Sequence, residues 1–269
     1  MTVRRHALIR LCASVAALAC PSLGQAVQRQ SLSDPMRLAV DDALADSGLA
    51  ASMQRSFGRD TGLVVQLLRG PAASVLEALE RGEHDAALSN VPSIETGLEK
   101  QGLVHDRHLV VRSDFVLVGP SVLAKPLAAG KDIALAMSRL AQAQVPFMSR
   151  PDGSGTHHAE LAAWRAAQLA PAGPWYLQAE AGAPVLSQAR DQKACTLVER
   201  GVWAAQGGGK GYGVLAQGDP RLLVDVHVMR TFRAQRQHPT GKLFVAWIAG
   251  NKGRRLAAAH RGYLGVASR

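Results

Sequence analysis

The sequence is poor in cysteine and in aromatic residues. It has 3 cysteines among 269 residues, and Phe, Trp and Tyr together make up 4%. So few aromatic rings disfavour a surface that stacks single-stranded nucleic acid. The basic residues are dispersed, with no Lys/Arg run of the length that nucleic-acid binding segments have. Nucleic acid is therefore not an expected partner.

Long hydrophobic runs are also scarce, which excludes a polytopic membrane protein. The one extended apolar run lies between Ala7 and Ala19 at the N-terminus. Arg4 and Arg5 precede it, and no acidic residue occurs before Asp34. A basic start, a short apolar stretch and small residues after it are typical of a secretory signal. We expect residues 1–26 to be a signal peptide and the protein to be exported to the periplasm.

Removal of the signal peptide on export changes which cysteines and charges the mature chain contains. Ala17-Leu18-Ala19-Cys20 is an imperfect lipobox, so lipid attachment at Cys20 stays an alternative to cleavage after Ala26. Cleavage leaves Cys195 alone, which excludes an intramolecular disulfide and a cysteine-based zinc site. The formal net charge of +10 stays positive after the leader is removed. A basic excess forms either an ordinary solvated surface or a surface that attracts an anionic ligand.

Short apolar runs typical of buried strands alternate with stretches of helical periodicity in the first half of the chain. The predicted strands are 38–40, 64–68, 85–88, 108–111 and 115–120, and the predicted helices are 47–57, 72–81 and 94–101. The polar pair Ser113 and Asp114 separates the last two strands. This alternation predicts an α/β protein with largely parallel sheets. Because no low-complexity linker is present, we expect two lobes joined by strands that cross between them.

A glycine-rich turn in the second half carries the most specific chemistry. The short strand 147–149 leads into the turn 150–156, and a helix follows from about 157 to 168. Unpaired N–H groups at the start of a helix bind anions. Ser154 and Thr156 add hydroxyl donors, and the Arg150 guanidinium suits tetrahedral oxyanions. The alternative is an ordinary helix start, in which Asp152 or Ser154 is only a cap.

An enzyme is not expected from these motifs. The sequence 152–156 lacks the flanking glycines of a nucleophile elbow. His157 and His158 are adjacent, so they diverge on a helix and do not form a metal-binding pair at i and i+4.

Several segments closely resemble the tungstate-binding proteins of ABC uptake systems: 149–157, 173–177 and 195–201, with 46–49, 114–120 and 241–247. The resemblance implies an α/β type II periplasmic binding protein with two lobes, each a mostly parallel sheet flanked by helices. It implies lobe 1 over 36–117 plus 219–269 and lobe 2 over 118–218. It implies a monomer, with no cofactor, that closes on tungstate or molybdate as its ligand and delivers it to an inner-membrane permease.

The resemblance assigns candidate ligand-binding residues in the second lobe and leaves the first lobe in question. Arg150, Ser154, Gly155 and Thr156 match the family's second-lobe anion ligands, and Ser149 adjoins them. In the first lobe, Asp41 and Asp42 stand where the family has threonine and serine. Residues 71–73 replace a Gly-Thr-Gly loop, which leaves Ser74 as the nearest hydroxyl. Asn90, after the third strand, is a further candidate, with an ordinary turn residue as its alternative.

Three explanations of Asp41 and Asp42 remain open at this point. The carboxylates could point away from the cleft and cap the next helix. They could receive a ligand that carries both a cationic and an anionic group, with Arg150 opposite. The chain could also be a diverged relative that no longer binds an oxyanion. The alternative function is then a protein of the same fold that binds another anion or a zwitterion, or that serves a sensor. A carboxylate facing a dianion in a desolvated cleft, with neither proton nor cation between them, is strongly unfavourable.

Overall fold

The computed structural model describes residues 31–180, 183–207, 209–232 and 238–266. The predicted signal peptide, 1–26, and Cys20 lie outside the described residues. Within the described ranges, no helix has the length and apolar character needed to cross a bilayer.

Ten α-helices, two short 3-10 helices and nine strands make up the described chain, with helices and strands largely alternating. The strands are β1 (Met36–Asp41), β2 (Val65–Gly70), β3 (Ala86–Ser89), β4 (Val104–Pro120), β5 (Phe147–Ser149), β6 (Tyr176–Gln178), β7 (Thr196–Glu199), β8 (Tyr212–Ala216) and β9 (Leu223–Thr231). The helices are α1 (Asp42–Asp46), α2 (Leu49–Thr61), α3 (Ala72–Glu80), α4 (Pro92–Lys100), α5 (Ile133–Gln142), α6 (Gly155–Ala166), α7 (Val185–Asp191), α8 (Arg200–Gln206), α9 (Pro239–Ala249) and α10 (Asn251–Ala259). The predicted α/β class is confirmed.

Seven described strands form one continuous sheet in the order β2-β1-β3-β9-β4-β7, with β8 also paired to β4. The sheets are more mixed than we expected. Pairing is parallel between β1 and β2, β1 and β3, and β5 and β6. It is antiparallel where β9 joins β3 and β4, and where β7 and β8 join β4. The difference arises because β9 returns from the C-terminal part of the chain and inserts between β3 and β4.

The two strands predicted at 108–111 and 115–120 are one 17-residue strand, β4. Ser113 and Asp114, which we took as a break, are both buried within it. Ser113 pairs with Val224 of β9, and Asp114 accepts a hydrogen bond from Arg200 Nη2 at 2.6 Å. An ion pair compensates the buried carboxylate, so the strand continues through a polar position.

The two largest of four buried hydrophobic clusters in the described residues divide the fold. The first contains Phe57 and Phe244, whose rings meet edge to face at 5.1 Å, and it also takes Val110 from β4. The second contains Phe115 of β4 and Trp164 of α6. We call the parts around these cores the first lobe and the second lobe. Since β4 and β9 contribute to both cores, these two paired strands connect the lobes. The limits 36–117 plus 219–269 and 118–218 stay a prediction.

Candidate functional site

The end of β1 in the first lobe faces the start of α6 in the second lobe. Asp41 is the last residue of β1 and caps α1, because its Oδ1 accepts a hydrogen bond from Ala43 N at 2.8 Å. Its Oδ2 faces the other lobe, 3.4 Å from Gly155 N. Asp41 is 0% exposed. The carboxylate therefore both caps its own helix and reaches the N-terminus of a helix in the opposite lobe.

The glycine-rich turn orders the start of α6 through its own side chains. Ser154 is the N-cap residue, and its hydroxyl accepts from His157 N at 3.3 Å. Asp152 Oδ1 accepts from Ser154 N at 2.9 Å. Gly153 has φ +73°, a conformation that glycine adopts at little cost. The capping role that we left open for Ser154 is present, and it leaves Gly155 N–H aimed at the cleft between the lobes.

Arg150 links the turn to the first lobe. Its Nη2 lies 2.8 Å from Asp42 Oδ2, and its Nε donates to Asp152. The side chain of Arg150 is 15% exposed and that of Asp42 is 12% exposed. Asp42 also accepts from Arg69 Nε at 2.9 Å, and Arg69 pairs with Asp46 at 2.8 Å. A charged network thus spans the cleft, in which two carboxylates already pair with the guanidinium predicted to bind an anion.

Ser149 is buried next to Arg150 but its hydroxyl faces the interior of the second lobe. It donates to Glu160 Oε2 at 2.9 Å. Glu160 also accepts from Tyr176 Oη at 2.6 Å and, at 3.4 Å, from Arg150 N. Burial raises the pKa of Glu160, and these hydrogen bonds oppose the rise. Ser149 therefore helps to position the turn from behind and does not line the cleft.

Asn90 closes the other side of the cleft against α6. Its Nδ2 donates to Glu199 Oε2 at 2.6 Å, across the two lobes. Its Oδ1 lies against Gly155, where an added Cβ would overlap it. Only glycine at position 155 lets the two lobes meet this closely.

Two buried acceptor atoms of this cluster have no hydrogen-bond donor in the described part of the chain: Asn90 Oδ1 and Glu199 Oε1. The nearby Tyr263 hydroxyl donates to Ser47 Oγ at 2.8 Å and also faces Glu199, whose pKa it lowers. Asn90 is 1% exposed and Glu199 0% exposed. Buried polar atoms normally have partners, so these two acceptor atoms stand out as unpaired although Asn90, Tyr263 and Ser113 face Glu199.

The two buried carboxyl groups of the cleft resist ionisation. Complete burial raises the pKa of Asp41 to about 7; the Ala43 N–H opposes this, and the charge of Glu199 adds to it. Burial also raises the pKa of Glu199, against hydrogen bonds such as that of Asn90. Low dielectric disfavours the charged form of a carboxyl group, and a like charge nearby does so further. Asp41 therefore titrates near neutral pH, and Glu199 is harder to ionise than an exposed glutamate.

Ser74 does not join this cluster. It lies exposed in the first turn of α3. The start of α3 meets the second lobe through its backbone instead, where Ala73 N donates to Gly153 O at 3.3 Å. In this loop the backbone takes the place of the hydroxyl group that we expected.

The open space in the cleft is small. A pocket between the lobes is lined in part by Ala43, Arg150, Thr156 and Glu199, and its cavity volume is about 10 Å³. That space holds roughly one water molecule. A tetrahedral oxyanion fits only after the lobes separate or the carboxylates move. Within the described ranges, no group of three or more His, Cys, Asp or Glu residues is arranged to hold a metal ion.

The structure brings together most of the residues singled out from the sequence: Asp41, Asp42, Asn90, Arg150, Ser154, Gly155 and Thr156. It places Ser149 behind the turn and Ser74 outside it. Sequence reasoning missed Glu199, Arg69 and Asp152 as members of the network. Glu199 had a signal, because it lies within the segment 195–201 that carries the family resemblance. No signal in the sequence pointed to Arg69, because a surface arginine at the end of a strand is common.

Comparisons with known proteins give consistent matches. A family model described as a PBP superfamily domain matches residues 30–252. The tungstate-binding protein TupA of Peptoclostridium acidaminophilum is 27% identical over 236 residues, which cover 86% of this chain and 82% of that protein. A crystal structure of the tungstate ABC transporter from Geobacter sulfurreducens has a TM-score of 0.73 and 27% identity, covering 83% of this chain and 97% of that one.

A third similar protein is the tungstate-binding protein TupA from Desulfovibrio alaskensis. Its structure has a TM-score of 0.69 and 22% identity, covering 87% of this chain and 100% of that chain. At this identity the likeness supports the fold alone.

Proposed function

The chain belongs to the PBP superfamily, and on that premise we propose that it is a solute-binding protein of an ABC importer. It captures a small oxyanion, tungstate or molybdate in type, between its two lobes and delivers it to a membrane permease. Its similarity to tungstate-binding relatives over most of its length supports this assignment. The oxyanion is the transported ligand, and the protein performs no catalysis.

The position of Arg150 carries this proposal. Arg150 lies at the turn before α6, faces the first lobe and is largely buried. Beside it, Gly155 N–H and the Thr156 side chain lie on the same face of the cleft. A guanidinium fork next to a helix N-terminus offers several converging donors to a tetrahedral anion. Closure of the first lobe over this anion is the movement that a permease can recognise.

We also propose the finer features of this assignment. The protein acts in the periplasm as a monomer, with lobe limits at 36–117 plus 219–269 and 118–218. Cleavage after Ala26 releases it, and lipid attachment at Cys20 is the alternative. Membrane fractionation of the full-length protein and of Cys20→Ala distinguishes the two. A soluble wild type supports release, whereas membrane association that Cys20→Ala abolishes supports the anchor.

The test is a titration of the protein without residues 1–26 with tungstate, molybdate, sulfate and phosphate, followed by thermal melting and calorimetry. A ligand that binds only the native state raises the melting temperature with its concentration. We expect tungstate or molybdate to give the largest rise. Absence of any shift with all four, on a folded sample, would refute oxyanion binding.

One observation favours a second candidate, a small zwitterion. The buried acceptors Asn90 Oδ1 and Glu199 Oε1 lack donors in the described chain, and Asp41 adjoins them. An ammonium group would supply those donors while its acidic group meets Arg150. Thermal melting with a panel of free amino acids tests this candidate. A rise with an amino acid and none with the four oxyanions would select it over the first.

A further inference from the structure

Asp41 occupies the place at which α6 would hold an anion. Its Oδ2 is 3.4 Å from Gly155 N, at the start of a 12-residue helix whose N-cap is already served by Ser154. The N–H groups of a helix's first turn attract negative charge. A carboxylate of the first lobe thus stands where an oxyanion of the second lobe would bind.

The groups around Asp41 give it no cation of its own. The charged and titratable groups that face it are Asp42, Glu199, Arg150 and Tyr263. Arg150 pairs with Asp42 and Asp152, and in the described part of the chain no basic side chain is ion-paired with Asp41. Asp41 is buried without a counter-ion, and a second negative charge beside it would be strongly unfavourable.

The same region holds two buried acceptor atoms without a hydrogen-bond donor in the described part of the chain, Asn90 Oδ1 and Glu199 Oε1. A proton on the carboxyl group of Asp41 would remove its charge and turn one acceptor into a donor. The hydroxyl could then donate to an oxyanion, and Gly155 N–H would be released to the same anion. Protonation of Asp41 would thus remove one negative charge from the cleft and add one hydrogen-bond donor to it.

On the basis of the proposed function, we propose that Asp41 takes up one proton from solvent when the lobes close on the oxyanion. Anion and proton are captured together, and both are released when the lobes open. Asp41 is then the residue that makes oxyanion affinity depend on pH.

The sign of the pH dependence follows from the pKa of Asp41. In the closed lobes without an anion this pKa is about 7, and a bound dianion raises it further because like charges disfavour ionisation. Above about pH 7, binding therefore has to be accompanied by protonation. Affinity falls as the pH rises above about 7, by up to roughly tenfold per pH unit, until the pKa of the complex is passed.

The experiment is calorimetric titration with molybdate between pH 7 and 9, in buffers of different ionisation enthalpy. At pH 8 we expect the wild type to take up about one proton per anion bound. Asp41→Asn keeps a side-chain oxygen for the Ala43 cap and cannot be ionised, so it should take up none. Its affinity should be flat over this range and exceed that of the wild type at pH 9.

The matched control is Asp60→Asn. Asp60 pairs with Lys252 and with Trp247 Nε1, away from the cleft, so this variant should keep the wild-type slope. A wild-type affinity independent of pH, without proton uptake, overturns the proposal. An Asp41→Asn variant that retains the slope overturns it as well.

The wild-type buffer series decides the matter even if Asp41→Asn does not fold. The outcome that refutes oxyanion binding itself differs from the outcome that refutes only the role of Asp41. In the first case neither wild type nor variant binds molybdate or tungstate at any pH, and the proton proposal falls with it. Binding without proton uptake refutes only the role of Asp41.

Discussion

Asp42 Oδ2 and Arg150 Nη2 lie 2.8 Å apart, across the cleft between the lobes. The first residue of α1 thus neutralises the guanidinium that follows β5. Both side chains are largely buried, so solvent screens the pair weakly. An oxyanion that binds Arg150 has to displace Asp42 or share the guanidinium with it. The strength of the pair therefore opposes ligand binding at the same time as it holds the lobes together.

Asp42→Asn should strengthen oxyanion binding. The substitution removes the charge that competes for Arg150, and a hydrogen bond to a charged group contributes about 1.5–3 kcal/mol. We expect affinity for molybdate to rise at least tenfold, by a similar factor from pH 7 to 9, as measured by calorimetry. Asp225→Asn is the control, because Asp225 makes an exposed pair with Arg112 at 2.7 Å. Weaker binding by Asp42→Asn would show that Asp42 assists the ligand.

Arg150→Ala should weaken oxyanion binding by roughly 10- to 100-fold, since it removes the charge-assisted donors of the second lobe. Arg150→Lys should recover part of the loss, because it restores the charge without the planar fork. Titration of both variants with tungstate measures the effect. Arg112→Ala, at a half-exposed arginine, should bind like the wild type. Equal affinity of Arg150→Ala and wild type would remove Arg150 from the site.

Gly155→Ala should prevent full closure. An added Cβ would overlap Asn90 Oδ1 in the opposite lobe. The variant should show a larger radius of gyration in X-ray scattering with saturating tungstate, and at least tenfold weaker binding. Its own helix should not suffer, because alanine favours a helix over glycine. Gly97→Ala in α4, where an added Cβ meets nothing within 4 Å, is the control. An unchanged radius and affinity would mean that the lobes close differently.

Asp41→Asn should stabilise the protein more at pH 8 than at pH 5. The pKa of Asp41 is about 7 in the folded protein, above its value of 3.8 when unperturbed. The favourable contribution of Asp41 to the free energy of unfolding is therefore present below about pH 4 and is lost as the pH rises through about 7. Thermal melts of variant and wild type between pH 5 and 8 measure the difference, which we expect to reach a few kcal/mol.

Asp219→Asn should change stability with pH in the opposite direction to Asp41→Asn. Its hydrogen bond from Arg221 lowers the pKa of Asp219 to about 2, below its ordinary value of 3.8. Its contribution is present above about pH 4 and lost as the pH falls through about 2. This variant should therefore lose stability at neutral pH. Asp41→Asn melts that run parallel to the wild type across the range would contradict the account of Asp41.

Local patterns predicted much of the fold and the second-lobe half of the site. The turn 150–156 is specified by glycine, capping side chains and a following helix, all close in sequence. The continuous strand β4 was missed because the partner of Asp114 is Arg200, 86 residues away. For the same reason the pairing of Asn90 with Glu199 was not predictable, since their contact depends on how the lobes meet. Sequence flagged Asp41 and Asp42 as anomalous, but only the fold shows which donors they face.

The two cores are assembled from different parts of the chain. The first joins Met36 to Phe244, whereas the second uses only residues between Phe115 and Val224. A chain is synthesised from its N-terminus, and domains fold as their segments become available. Most of the second core is therefore available before β9, which supplies Val224 to that core and Val226 and Val228 to the first. Until β9 arrives, the edge of β3 that it will cover stays unpaired, and such an edge invites association with other chains. The nascent protein is thus most prone to aggregate before residues 223–231 have emerged.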